Sequence, residues 1–313
     1  MFDSIWQDVK KEFSYGNMIT RIIIVNVVLF IILNLVKVVL YFSNGGNLPE
    51  FYETFRNFFL VSSDWKHTLS HPWSLFTSMF LHEGVFHILF NMLFLYWFGK
   101  IVGDLIGDAR ILPLYLLGGL AGVAAYFISA NIMPFGELGG RYALGASAAV
   151  MAIVVASGML APNYILHLLF LGPVKLKYIV TALVFIDMIS LANNVNTGGH
   201  FAHLGGALFG LFFVLRLREG RDLSVPVNKV LAKITSIFKG TPPPQKAKRG
   251  PRMAYKNTSP QRKARRAKGS AKSDQHDLSH QEQVDSILEK IKKSGYESLT
   301  AEEKEYLFNA SKK

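Results

Sequence analysis

Apolar runs dominate the first two thirds of the chain. Crossing a bilayer takes roughly 20 mostly apolar residues, somewhat fewer where a helix is recessed into a bundle. On that criterion six helices are predicted, at about residues 20 to 42, 74 to 98, 110 to 132, 144 to 161, 175 to 191 and 200 to 217. The polar positions between them orient the bundle, because Lys and Arg concentrate on the cytoplasmic side. With the N-terminus inside, inner segments hold Lys10, Lys11, Arg21, Lys100, Arg110, Lys175, Lys177, Arg216, Arg218 and Arg221, whereas outer loops hold only Arg56, Lys66 and Arg141. Both termini are therefore expected in the cytoplasm.

The pattern changes outside these runs. In the first outer loop, LPEFYETFRNFFLV puts aromatic positions 51, 52, 55, 58 and 59 on one helical face, which fits either a short interfacial helix or a loop helix packed on the bundle. After the sixth run, TPPPQKAKRGPRMAYKNTSPQRKARRAKGSAK has too few large aliphatic residues to bury a core and is expected to be disordered. In the tail, SHQEQVDSILEKIKKSG opens on a capping box from Ser279 to Glu282, aligns Val284, Ile287, Leu288 and Ile291, and stops at Gly295. A second box, Thr300 to Glu303, starts another helix. The predicted division is a cytoplasmic segment over 1–19, a six-span domain over 20–218, a basic linker over 219–278 and a helical hairpin over 279–313.

Composition agrees with a membrane protein. Of 313 residues half are hydrophobic and 18% charged, too apolar for an ordinary soluble domain of this size. The net charge of +12 matches the twelve Lys and Arg, with no Asp or Glu, between residues 239 and 272, so the remainder is nearly neutral. A basic run beside a membrane attracts anionic lipid, and this reading is favoured over nucleic-acid binding. The absence of cysteine excludes disulfides, thiolate metal sites and a cysteine nucleophile.

Polar groups inside apolar spans are costly unless they pair or line a wet cavity, so they are candidate functional residues. FLHEGVFHILFN supplies His82 just outside the second span, with His87 and Asn91 one turn apart within it. GASA supplies Ser147, and GGHFAHLGGALFG supplies His200 and His203. By the assigned topology His87, Ser147 and His203 lie at similar depth near the outer face. A serine hydroxyl becomes a nucleophile when a base takes its proton, and histidine is the usual base near neutral pH. Attack on a peptide carbonyl creates an oxyanion, which His87, the Asn91 amide and the Ser147 backbone N–H are positioned to receive. Gly206 and Gly210 form a pair that lets helices approach closely. Each group also has an ordinary explanation: a lone serine back-bonds within its helix, and histidines at i and i+3 are a metal-binding spacing.

Together these residues resemble a rhomboid intramembrane serine protease over roughly residues 18 to 218. HEGVFHILFN is similar to the family's HxxxxHxxxN arrangement, GASA, beginning at Gly145, to its GxSG motif, and HFAHLGGALFG to its AHxxGxxxG. The resemblance implies an all-α, polytopic six-helix bundle in which Ser147 is the nucleophile and His203 the base, a dyad without aspartate. It implies oxyanion roles for His87 and Asn91 and a less direct one for His82. His200 is expected to shape or hydrate the entrance, and Asp187 has no assigned role. The substrate class implied is membrane-spanning proteins cut near the outer end of a span, with no metal or cofactor. Ala148, Met151 and Ser74 depart from the family's usual glycine, aromatic and arginine.

Two rival functions are weighed against this one. A catalytically inactive rhomboid-like protein would bind membrane clients without cutting them, but such proteins typically lack the serine or histidine present here. A metal or solute transporter built on His82, His87, His200 and His203 leaves Ser147 and Asn91 without a purpose. The short N-terminus and six-span core point to the cytoplasmic membrane of a bacterium.

Overall fold

In a bilayer a backbone N–H or C=O finds no water, so apolar segments close their hydrogen bonds internally as helices. A computed structural model describes residues 2–132, 142–168, 172–193, 196–238, 284–291 and 298–310. It divides into two units, Met1–Pro244 and Gln245–Lys313.

In the first unit, α1 (Phe2–Tyr15) precedes α2 (Met18–Ser43), whose first turn is capped by the Asn17 side chain accepting from the Thr20 N–H. The stretch after α2 carries α3 (Glu50–Asn57), β1 (Val61–Ser62), α4 (Trp65–Ser70) and α5 (Ser74–Thr77). Then come α6 (Val85–Ile106), α7 (Ile111–Ile132), β2 (Tyr142–Ala143) and α8 (Ser147–Leu160). The hairpin β3 (Ile165–Leu168) and β4 (Gly172–Lys175) leads to α9 (Leu176–Ser190), α10 (Thr197–Arg218) and α11 (Ser224–Phe238). The fold is that of an all-α, multi-pass membrane protein. Among the described residues four helices, α2, α6, α7 with its preceding turn, and α10, are long and apolar enough to cross a membrane, and α8 is a shorter apolar helix.

The second expected span needs correction. Apolarity places it at about 74 to 98, but the helix runs from Val85 to Ile106. Residues 74–81 hold Leu75, Phe76, Met79, Phe80 and Leu81 yet form α5 and a 3-10 turn over Ser78–Phe80, and the backbone stays non-helical through His82 and Glu83 to Gly84. Hydropathy measures apolarity and does not separate a span from irregular backbone buried against protein. The expected linker is also shorter at its start, because residues 224–238 are helical; the rest of it, 239–278, lies outside the described residues.

α8 is the centre of the first unit, with Ala148 through Gly158 all buried and α6, α7, α9 and α10 around it. Small residues make that enclosure possible. A methyl group on Gly206 or Gly210 of α10 would fall on the carbonyl oxygen of Ala148 or Ala152, and one on Gly122 or Gly118 of α7 would collide with the methyl groups of the same two alanines. Ala148 and Ala152 are thus each held between two glycines, one from either neighbour. Without a hydrophobic driving force between helices in lipid, such close backbone approach is what holds them together. At about 1.5 Å per residue the 14 residues of α8 rise about 21 Å, less than a hydrocarbon core of about 30 Å, so α8 is recessed.

The aromatic residues of α3 are divided between the bundle and its surface. Tyr52 is buried while Phe51 stays exposed. Arg56 bonds Glu53 and Glu83, fastening α3 to the segment before α6.

In the second unit, residues 284–291 form α12 and Ala301–Ala310 form α13. The second capping box is present: the Thr300 N–H donates to Glu303 Oε2 at 2.8 Å and the Glu303 N–H to Thr300 Oγ1 at 3.3 Å. Lys290 reaches from α12 to Glu303 at 2.9 Å, and Ile287 and Leu299 are buried. Ser279, Glu282 and Gly295 lie outside the described residues.

Candidate active site

Ser147 opens α8, directly after a turn that is pinned on several sides. β2 pairs antiparallel with β1, Val61 opposite Ala143 and Ser62 opposite Tyr142. The Gly145 N–H donates to the Ser78 carbonyl at 2.8 Å. The Ala146 N–H donates to His82 Nε2 at 3.2 Å, so the fully buried His82 acts as an acceptor beneath the turn. Gly145 sits at φ +118°, and a β-carbon there would stand 2.7 Å from His87 Cε1 and 2.8 Å from Nε2. Glycine is required at 145 on both counts. The outcome is a serine hydroxyl at the first turn of a helix whose leading N–H groups have no intrahelical partner, an arrangement suited to receiving negative charge.

A cavity of about 800 Å³ lies over this turn, and His87, Asn91, Ser147, Met151, Asp187 and His203 line it. The residues expected at similar depth are therefore gathered round one space. Gly145 borders it as well. His87 comes from the first turn of α6, and its ring meets the His82 ring edge-on at 4.9 Å. Asn91, one turn further, donates Nδ2 to the His87 carbonyl at 2.8 Å, which fixes the side chain and leaves its second amide hydrogen uncommitted to that bond.

His203 is held by an acid for which no role was expected. Asp187 of α9 accepts on Oδ1 from His203 Nδ1 at 2.8 Å and from His200 Nδ1 at 2.8 Å. His200 and His203 are three residues apart on α10, with rings edge-to-face at 5.8 Å. A donor at Nδ1 leaves Nε2 of His203 with its lone pair, the form a general base needs. No hydrogen bond joins Ser147 to His203 among the described residues; such bonds are often long before substrate binds. His200 faces Asp187, next to Gly199 and one turn before His203, both of which border the cavity.

The departures from the motif are accommodated. The Ala148 methyl fills the space opposite Gly122. Met151 is buried on the cavity wall. Next to the serine at 74, Trp73 donates its indole N–H to the Phe58 carbonyl at 2.8 Å and so ties α5 to the end of α3. Asp187 was legible as an acid in an apolar span, FIDMISL, but its partners sit more than a dozen residues away and no spacing rule connects them.

Residues 69–220 match the Rhomboid domain family, and residues 274–313 match a family of unknown function (DUF6576). The chain is 34% identical over 177 residues to RHOMBOID-like protein 12, mitochondrial, of Arabidopsis thaliana, covering 53% of this chain and 52% of that protein. It is 32% identical over 139 residues to Presenilin-associated rhomboid-like protein A, mitochondrial, of Danio rerio, with coverage of 44% and 35%. RHOMBOID-like protein 4 of Arabidopsis thaliana is 36% identical over 151 residues, with coverage of 47% and 34%. The chain thus spans about half the length of these relatives or less.

Proposed function

The chain belongs to the rhomboid family, and from that premise we propose that it is an intramembrane serine endopeptidase using Ser147 and His203. The observation that carries the reading is one cavity lined by a helix-leading serine and by a histidine whose Nδ1 is engaged by Asp187. His203 Nε2 takes the Ser147 proton as Oγ attacks the scissile carbonyl. The oxyanion forms against the N–H of Ser147, with His87 and Asn91 as further donors. His203 then gives its proton to the leaving amine, and water attacks the resulting acyl-enzyme with the same histidine as base. Asp187 keeps the Nδ1 proton in position and stabilises the imidazolium, acting through His203 without touching substrate.

The substrates are membrane-spanning proteins, cut near the outer end of a span. A peptide carbonyl bonded within a helix has to be unwound before attack, and only a water-accessible cavity at membrane depth permits that. Phe86 and Phe90 of α6 and Leu183 and Ile186 of α9 border the cavity from two helices, which makes the seam between α6 and α9 the substrate route. A cross-link between these helices is expected to block cleavage of a membrane substrate. The protein resides in the cytoplasmic membrane with both termini inside, where the positive charge of the sequence over 239–272 attracts anionic lipid.

The test is reconstitution of the protein in liposomes with a single-span reporter. Wild type is expected to release a fragment cut within or beside the span. Ser147→Ala is expected to release none, and Asp187→Asn to be slowed by on the order of 10²-fold, within the range general-base catalysis supplies. Fragment release by Ser147→Ala at the wild-type rate would sink the reading.

A further inference from the structure

His200 contributes nothing to the chemistry just described, yet it is directed at the same carboxylate oxygen as the base. One potential ligand atom from each of Asp187, His200 and His203 lies within 4.8 Å of those of the other two. Each histidine Nδ1 is 2.8 Å from Asp187 Oδ1. Two imidazoles and one carboxylate, with a water as the fourth ligand, form a donor set that Zn²⁺ accepts in tetrahedral geometry. Bonds of about 2.0–2.1 Å to zinc require neighbouring ligand atoms about 3.3 Å apart, so each nitrogen has to withdraw by about 0.5 Å. That is a rotamer-scale adjustment. The three side chains retain 11 to 22% of their exposure, so an ion entering by the cavity can reach them, and the cavity can supply the water.

We propose that Asp187, His200 and His203 form an inhibitory binding site for Zn²⁺ or a similar borderline divalent cation. The inhibition, though not the binding, rests on the protease reading given above. Its chemistry follows from which nitrogen is used. In the metal-free protein His203 donates from Nδ1 to Asp187 and keeps the Nε2 lone pair for the Ser147 proton. A metal bound at Nδ1 takes that nitrogen's lone pair, so the single ring proton of neutral His203 resides on Nε2. The ring then has no acceptor to offer Ser147. Asp187 is also drawn from histidine to metal, so both supports of the base are lost in one event without any helix having to move. The site is reversible, because a competing chelator restores the original tautomer.

Binding is measured on the full-length, detergent-solubilised chain carrying Ser147→Ala, where no activity is needed. Titration with Co²⁺ is expected to give the visible absorption of a tetrahedral ion, displaced by one equivalent of Zn²⁺. Adding His200→Ala, or separately Asp187→Asn, is expected to weaken Zn²⁺ binding by at least about 10-fold, the scale on which even outer-shell changes act. The stacked pair His67 and His71, with ring centroids at 4.3 Å, is the obvious competing site. A tetrahedral Co²⁺ signal that follows His67→Ala and survives His200→Ala and Asp187→Asn would overturn the proposal, as would no Co²⁺ or Zn²⁺ binding at all. In wild type, Zn²⁺ is expected to slow labelling of Ser147 by a fluorophosphonate and EDTA to restore it. Labelling absent even without metal would count against the protease reading alone, since the binding arm does not depend on it.

Discussion

Gly206 stands three residues after His203, where α10 touches α8. Replacing it with alanine puts a methyl group onto the Ala148 carbonyl oxygen, with the Ala148 carbonyl carbon at 2.8 Å and its Cα at 3.2 Å. All three are backbone atoms in a buried helix, and none can turn aside as a side-chain tip would. Carbon atoms prefer separations of about 3.5–4.0 Å, so α10 has to back away from α8 by on the order of 1 Å. Overpacking of this kind costs about 1–3 kcal/mol. Because His203 rides on α10 and Ser147 on α8, the same displacement opens the gap between them, and misplacement by about 1 Å is worth roughly 10²-fold in rate. The rate of fluorophosphonate labelling of Ser147 reads this directly, at a temperature where the variant's melting curve shows it folded. Leu208→Ala is the control: same helix, 67% exposed, and labelling expected within about twofold of wild type, as for a surface substitution. Gly206→Ala protein that labels as fast as Leu208→Ala would show that the α8–α10 contact does not set the geometry of the site.

Other outcomes follow from the same contacts. Gly145→Ala has to hold alanine at φ +118° with its methyl 2.7 Å from the His87 ring; it is expected to lower the thermal midpoint by the equivalent of about 1–3 kcal/mol and to slow labelling, and a midpoint equal to wild type would contradict this. Asp222 sits beyond α10 at the end opposite the cavity. Burial alone would raise its carboxyl pKa, but the hydroxyl and N–H of Ser224 and the Arg110 guanidinium, at 2.6, 2.9 and 2.8 Å, hold it below the ordinary value of 3.8. A depressed carboxylate stabilises the fold above its unfolded pKa, and the contribution disappears as pH falls through the folded value. The thermal midpoint of wild type is therefore expected to exceed that of Asp222→Asn at neutral pH and to converge with it well below pH 3.8; a gap that persists there would refute the assignment. In the tail, Thr300→Ala removes a cap that accepts from the Glu303 N–H and is expected to reduce helicity of α13, a loss of about 1 kcal/mol visible by circular dichroism of the full chain.

The bundle was legible because its signal is local. Apolar runs fix α2, α7, α8, α9 and α10 to within three residues at either end, and the four polar site residues were marked by their cost in such runs. The start of α6 is the exception, because the apolar residues between 75 and 81 belong to short turns and the helix begins only after His82, Glu83 and Gly84, a distinction that averaged hydropathy does not make. α11 was missed because its charges, Lys229 and Lys233, lie in a segment next to a strongly basic run, and composition was averaged over both. Asp187 is the instructive omission. Its role comes from the approach of α9 to α10, which brings residue 187 against 200 and 203, and nothing in the order of residues encodes that meeting. The same holds for the glycines opposite Ala148: Gly206 was readable as a packing residue, but Gly122 gains its meaning only from the methyl group it accommodates.

Activation of Ser147 by His203 is read out by treating the purified, folded protein with an active-site serine probe. Wild type is expected to be labelled by a fluorophosphonate, and Ser147→Ala and His203→Ala are each expected to abolish the signal. Folded wild type that resists the probe, or labelling that survives His203→Ala, would contradict it.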